Sequence, residues 1–290
     1  HMANIKNKRN KKVIRRLLGG VLAGLMLSGG MLSAQAAPGD GGSELRTAGS
    51  KNVSEGPTQE LRGVWISYLD WEKLPSDEAG FKKGVDQILD RCVELRMNAV
   101  FVQVRPDADA MYPSSYFPWS RFITGIQGQD PGYNPLEYFV RAAHRRGLQF
   151  HAWINPYRVT GYLNRWNQVS EQSFARQWLS DGDTSNDRWV LKHNGEYYLN
   201  PSVEEVRQRI LGGVREIVEH YDVDGIHFDD YFYPEIDNED PNKWFDKPEY
   251  EASGSLKNIS DWRRENINQL IRETYQVVKS VNPKVQFGIS

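Results

Sequence analysis

The stretch Asp224-Gly-Ile-His-Phe-Asp-Asp-Tyr-Phe-Tyr-Pro234 decides how the chain is read. A glycine follows the first acid, apolar residues come next, and the segment ends in two adjacent carboxylates, Asp229 and Asp230, followed by tyrosines. This is the pattern of a short buried strand whose C-terminal end carries the polar groups. In parallel α/β folds the ligand sits at that end of the strands, so the stretch predicts a fold and a site together.

Strand–helix alternation extends from it in both directions. Strands are predicted over Leu61–Tyr68, Ala99–Arg105 and Gln149–Asn155, the second and third ended by Pro106 and Pro156. Phe81 to Arg96 has helical period. Asn134-Pro135 supplies an N-cap and a first-turn proline for a helix that Gly147 stops. A short helix is expected around Val169 to Leu179 and a hairpin around His193-Asn194-Gly195. Ser202-Val-Glu-Glu205 reads as a capping box, opening a helix with the core face Val206, Ile210, Val214, Ile217 and Val218. The fourth strand is Gly225–Asp230. A long acidic and aromatic loop, Pro234–Asn258, leads to a helix capped by Ser260 and a fifth strand, Val285–Ile289.

Such alternation implies parallel βαβ units. The long loops after strands two, three and four, and the lack of a GxGxxG turn, favour an α/β fold of the (β/α)8 TIM-barrel type over a dinucleotide fold. Eight strands close that barrel, so the expectation is a barrel truncated after strand five, occupying residues 60–290. An open five-stranded sheet is the alternative.

Side chains alternate faces along a strand. Val100, Val102 and Val104 share one face of strand two; Phe101, Gln103 and Arg105 share the other. In strand three Phe150, Ala152 and Ile154 oppose His151, Trp153 and Asn155; in strand four Ile226 and Phe228 oppose Gly225, His227 and Asp229. The smooth apolar parity suits a helix layer and the polar, aromatic parity a barrel interior. Arg105, Asn155 and Asp229 should therefore meet at one rim, with Gln103, His151 and His227 beside or beneath them. Asp230 starts on the helix-facing parity, which makes Asp229 the choice for the catalytic carboxylate and Asp230 a helper.

At the N-terminus a basic run from Lys6 to Arg16 precedes an apolar segment, Leu17 to Leu32, and the small-x-small pattern Ala34-Gln-Ala36. This predicts a secretory signal peptide over residues 1–36, then a flexible linker over 37–59, and an extracytoplasmic location in the cell envelope. The alternative is an uncleaved anchor; the apolar run falls short of the ~20 residues a span needs, so no stable membrane insertion is expected. Cleavage would remove seven of the 36 Lys/Arg and no Asp/Glu, leaving 29 basic against 38 acidic side chains, a charge of −9. So acidic a protein is a poor candidate for binding nucleic acid. Cys92 is the only cysteine and falls on the apolar helix face with Phe81, Val85, Ile88, Leu89 and Val93, which reads as a small core residue. The sequence sets no oligomeric state.

A carboxylate, an arginine, an asparagine and aromatics at one rim suit glycoside hydrolysis of a polysaccharide, which needs one carboxyl group as nucleophile or base and another as proton donor. The expected catalytic set is Asp229, Asp230 and Arg105, the guanidinium keeping Asp229 ionised. Gln103, Asp107, Asn155, Tyr231 and Tyr233 would bond sugar hydroxyls, Trp65, Trp153 and Tyr157 would stack on rings, and His151 and His227 lie within reach. Each has a plainer reading: Asp229 as a salt-bridge partner of Arg105, the histidines as hydrogen-bonded interior residues, Asp107 and Asp109 as loop acids. His151, His227 and Asp229 are metal-ligating types, but no HExxH or clustered spacing supports a metal, and no metal or cofactor is expected. Glu72, Glu235 and Asp237 are loop candidates for the proton donor. Two other functions stay open, a non-catalytic carbohydrate-binding barrel and a metal-dependent polysaccharide deacetylase.

Four strand motifs in order, Leu61-Arg-Gly-Val-Trp65, Asn98-Ala-Val-Phe-Val-Gln-Val-Arg105, His151-Ala-Trp-Ile-Asn-Pro156 and Asp224-Gly-Ile-His-Phe-Asp-Asp-Tyr231, resemble the glycosyl hydrolase-like 10 family of bacterial exported proteins. The resemblance implies a (β/α)8 barrel continuing past Ser290 and a cell-wall substrate; the family includes a divisome-associated enzyme that cleaves peptide-free peptidoglycan glycan strands. Asp224 to Asp229 is also similar to the strand-four motif of α-amylase-type hydrolases, where the last Asp is the nucleophile. The donor Glu that such enzymes carry after strand five has no counterpart on the fifth strand here.

Overall fold

The computed structural model describes residues 60–161, 165–229, 231–235 and 239–290. The expected signal peptide and linker, and the side chains of Asp230 and Asp237, lie outside those residues. In chain order come β1 (Gly63–Ile66), α1 (Tyr68–Trp71), α2 (Glu78–Glu94), β2 (Ala99–Arg105), α3 (Arg121–Thr124), α4 (Pro135–His144) and β3 (Gln149–Ile154). Next are α5 (Phe174–Trp178), β4 (Val190–His193), β5 (Glu196–Leu199), α6 (Glu204–His220), β6 (Gly225–Phe228), α7 (Lys247–Ala252), α8 (Ile259–Val281) and β7 (Gln286–Ile289). Strands β1-β2-β3-β6-β7 form one parallel sheet in that order, and the register is continuous in every neighbouring pair except β2–β3, which shifts between Gln103 and Arg105. Neighbours in space follow chain order, which is the arrangement of consecutive β/α units in a (β/α)8-type fold.

The smooth parity packs as expected. Val100, Val102, Val104, Phe150, Ala152, Ile154, Ile226 and Phe228 are buried. They meet the apolar faces of α2 (Phe81, Val85, Leu89, Cys92), α4 (Leu136, Phe139, Val140) and α6 (Val206, Ile210, Val214, Ile217). The local signals are obeyed at α4, where Asn134 Oδ1 accepts from Glu137 N at 3.1 Å, and at the β4–β5 hairpin, where Asn194 and Gly195 both have positive φ. Two caps differ from expectation. No capping box forms at Ser202, whose hydroxyl bonds Asn200 Oδ1 instead, so α6 starts at Glu204 behind Val203. The cap of α8 is Asn258, not Ser260, because Asn258 Oδ1 accepts from Asp261 N.

The opposite face of the sheet is a layer of rings. Trp65 lies 4.9 Å from Phe101, 5.0 Å from Trp153 and 4.9 Å from His227, centroid to centroid, and Phe101 stacks on His151 at 4.5 Å. Glycines on neighbouring strands make the room. A Cβ on Gly225 would stand 2.1 Å from His151 Nδ1, and one on Gly63 would stand 2.6 Å from the Phe101 ring. Gly225→Ala should therefore destabilise the fold by overpacking, by about 1–3 kcal/mol. Denaturant unfolding of the pair measures it, and equal midpoints would mean that the His151 ring moves aside without cost.

Candidate functional site

β6 ends at Phe228 and delivers Asp229 to the C-terminal edge of the sheet, where three donors hold its carboxylate. Trp153 Nε1 donates to Oδ2 at 3.0 Å, Asn155 Nδ2 donates to the same oxygen at 2.6 Å, and Tyr231 N donates to Oδ1 at 3.2 Å. The β3–β6 register sets this up, since it pairs Trp153 with His227 and so brings the interior side chains at the end of β3 beside the residue after β6. Asn155 is itself fixed, its Oδ1 accepting from Gln103 Nε2 while Gln103 Oε1 accepts from Tyr68 N at 3.0 Å. The first three β/α units thus aim one donor set at one acid. Partial burial raises the Asp229 carboxyl above its ordinary range, against the lowering effect of these donors and of the Arg158 guanidinium.

Arg105 does not reach this rim. β2 pairs Gln103 with Trp153 but Arg105 with Ile154, so the ladder skips Val104, whose carbonyl accepts from Met111 N at 3.0 Å. The bulge turns Arg105 to the helix side. There its guanidinium is fully buried, 3.6 Å from the centroid of the Phe117 ring and close against Gly213 of α6. Burial lowers its pKa, opposed by Tyr112, Glu216 and Asp109 nearby.

Arg158, from the loop after β3, supplies the positive charge instead. Its Nε donates to Asp107 Oδ1 at 2.9 Å and to the Pro106 carbonyl at 2.8 Å. Its guanidinium carbon lies 5.6 Å from the Tyr68 ring centroid and 5.8 Å from that of Tyr231. No strand periodicity points to it; the one signal is its place two residues after Pro156, in the segment leaving a strand end. Asp107 is thereby a buried ion-pair partner of Arg158 rather than a solvated loop acid.

The other expected residues divide. Tyr231 is exposed at the rim and hydrogen-bonded with Tyr198 of the hairpin, which donates to Glu196. Trp65 and Trp153 stay in the open ring layer under Asp229. His151 and His227 are buried in that layer, which leaves neither ring a free face for a sugar. Burial lowers the pKa of both, His227 to about 4, so both are neutral at pH 7. Tyr157 is fully buried behind the sheet in the field of Arg207 and Glu273, because the chain turns down after Pro156 and Leu199 N bonds the Tyr157 carbonyl at 2.7 Å. The Tyr233 hydroxyl accepts from Asn266 Nδ2 on α8, again away from Asp229. Of the donor candidates, Glu72 pairs with Arg121 at 3.7 Å and Glu235 accepts from His193 through its carbonyl. Among the described residues no group of three or more His, Cys, Asp and Glu is placed to hold a metal ion.

Asp109, behind Asp107, is fully buried. Its Oδ2 accepts from Gln127 Nε2 at 3.2 Å, while Oδ1 has no hydrogen-bond partner. Burial, then the neighbouring Asp107, push its pKa up to about 7. The folded state consequently holds this proton more tightly than the unfolded chain, whose Asp titrates near 3.8. The associated stability is complete below the unfolded value and is lost as pH rises through about 7. Asp109→Asn should lack that loss, so its stability relative to wild type improves between pH 4 and 7; urea unfolding at several pH values tests this, and a constant difference would contradict it.

Residues 60–290 match the family model described as glycosyl hydrolase-like 10. Glycosyl hydrolase YngK of Bacillus subtilis (strain 168) is 42% identical over 239 residues, 80% of this chain and 45% of that protein. Glycosyl hydrolase DigH of Escherichia coli (strain K12) is 36% identical over 268 residues, 84% of this chain and 58% of that protein. The chain thus spans about half the length of these curated relatives. Among solved structures, α-L-fucosidase isoenzyme 2 from Paenibacillus thiaminolyticus superposes with a TM-score of 0.52 at 14% identity, covering 79% of this chain and 32% of that one. The PgaB (BpsB) glycoside hydrolase domain from Bordetella bronchiseptica gives 0.51 at 17%, covering 78% and 64%. These two likenesses establish the fold type, and with the family match over the whole described region, the chain belongs to the glycosyl hydrolase-like 10 family.

Proposed function

We propose that this chain carries the catalytic rim of an exported glycoside hydrolase that cleaves a cell-wall polysaccharide, with the glycan strands of peptidoglycan as its substrate. The observation that carries the reading is the Asp229 carboxylate, held at the strand ends by Trp153, Asn155 and the Tyr231 amide. Glycoside hydrolysis needs a carboxylate fixed beside the anomeric carbon, as nucleophile or as the base that activates water, and a second carboxyl group to protonate the leaving oxygen. Asp229 suits the first role. Its two oxygens are oriented by separate donors, and partial burial keeps it reactive while Arg158 favours the ionised form. Tyr231 is the exposed aromatic at the same rim, suited to packing on a pyranose face. The family membership and the names of the relatives support the reaction class. The cell-wall substrate rests on the family resemblance, and export on the basic–apolar–small pattern before residue 37.

The test uses the full-length protein on peptide-free glycan strands, following new reducing ends. Wild type should release them, and Asp229→Asn should lower the rate by at least about a hundredfold, since the amide keeps the shape but neither attacks nor takes a proton. Equal release by the variant would remove Asp229 from catalysis. Binding of the strands without any new ends, by wild type, would favour the non-catalytic barrel.

A further inference from the structure

We propose that Arg158 is the positioning residue of Asp229, a clasp from the loop after β3 that ties the loop after β2 to the loop after β6 and supplies the only arginine charge facing the carboxylate among the described residues. The inference rests on the reading of Asp229 as the reactive carboxylate. It concerns a residue outside every strand motif.

Four contacts build the clasp. The guanidinium is anchored to β2's exit by Asp107 Oδ1 at 2.9 Å and by the Pro106 carbonyl at 2.8 Å. It lies 5.8 Å from the ring centroid of Tyr231, whose backbone N–H holds Asp229 Oδ1 at 3.2 Å. It lies 5.6 Å from the ring of Tyr68, whose own N–H is held by Gln103, the residue that also holds Asn155. Two of the three donors to Asp229, the Tyr231 amide and the Asn155 side chain, are thus linked to a residue whose ring Arg158 faces, while Trp153 reaches Asp229 independently. The Arg158 backbone is fixed as well, by an antiparallel bridge to Tyr198 of β5. The side chain is largely buried, with 17% of its surface exposed, so its charge acts on Asp229 with little solvent screening.

The surroundings leave this role open to few other groups. On its own strand Asp229 follows His227, which is neutral at pH 7. From β3 it faces the uncharged donors Trp153 and Asn155. From the hairpin, Glu196 and Tyr198 approach through Tyr231, and from the β2 loop Asp107 is neutralised by Arg158 itself. Arg105, the other arginine near these loops, is turned behind the sheet by the bulge. The effect of the Arg158 charge on the Asp229 carboxyl is downward, opposing burial.

The Trp153 indole N–H bonded to Asp229 gives a reporter that needs no substrate. In the 15N-labelled full-length protein, the Trp153 Nε1–H resonance, identified by its loss in Trp153→Phe, should titrate with Asp229 and stop titrating in Asp229→Asn. In Arg158→Gln its midpoint should move up, and in Arg158→Lys it should return to near the wild-type value. Arg158→Gln removes the ion pair of the buried Asp107, so Asp107→Asn with Arg158→Gln is the companion variant should the single change unfold the protein. A midpoint identical to wild type in Arg158→Gln, or a midpoint in the double variant identical to that of Asp107→Asn alone, overturns the proposal. Because the titration is read without glycan, it fails or succeeds separately from glycan cleavage, which Asp229→Asn tests.

Discussion

Inside the sheet, large rings are accommodated by glycines on the adjacent strands, and the site depends on that fit. Gly225 lets His151 lie flat beneath the rim, Gly63 does the same for Phe101, and Gly288 faces His227. The rings then support Trp65 and Trp153 at the open edge. Trp153, packed edge-on to Trp65 in this layer, points its N–H at Asp229. A layer this closely filled shifts little, so the donors reaching Asp229 are in place before a ligand arrives, as catalysis by preorganised dipoles requires.

Electrostatics at the rim follows from how each acid is satisfied. Asp229 has three donors and a nearby guanidinium, and burial raises it against all four. Asp107 has Arg158 as a direct partner. Asp109 is fully buried beside Asp107 with hydrogen bonds from Gln127 and Ser120 too weak to offset burial, and it alone of the three is pushed up to about 7. Three acids of the same type thus diverge within two short loops through burial and partners, which is the usual origin of divided roles in one site.

The sequence made the parallel sheet and its two faces legible, because alternation in β2, β3 and β6 is strict and each helix carries one apolar stripe. Asp229, Asn155, Trp153 and Gln103 were found by that parity alone. Parity failed at Arg105 because a bulge is invisible to a period of two; Pro106, a residue tolerated at bulges, was the only local hint. Tyr157 and Tyr233 were misplaced because an aromatic after a strand end can turn either way, and the direction is set by partners far along the chain, Arg207 and Asn266. Arg158 was missed for the converse reason. It belongs to irregular backbone whose conformation is fixed by Asp107 and the β4–β5 hairpin, contacts with no local signature. The cap expected at Ser260 is taken by Asn258, whose Oδ1 accepts from Asp261 N, while Ser202 turns its hydroxyl to Asn200 and leaves α6 to start behind Val203 without a side-chain cap.

The bulge in β2 connects these points. Had the ladder continued without it, Arg105 would enter the interior beside Gln103 and Asn155, in the space through which Gln103 reaches both Asn155 and the Tyr68 amide. A guanidinium there would compete for the Asn155 carbonyl oxygen and could bind Asp229 directly, as a tight ion pair that holds the carboxylate in its least reactive state. The bulge instead sends that charge behind the sheet to lie on Phe117. The charge left at the rim is Arg158, partly neutralised by Asp107 and separated from Asp229 by the Tyr231 segment. Asp229 is then held by neutral donors and biased, rather than neutralised, by a cation, a balance that leaves a carboxylate ionised and still able to attack.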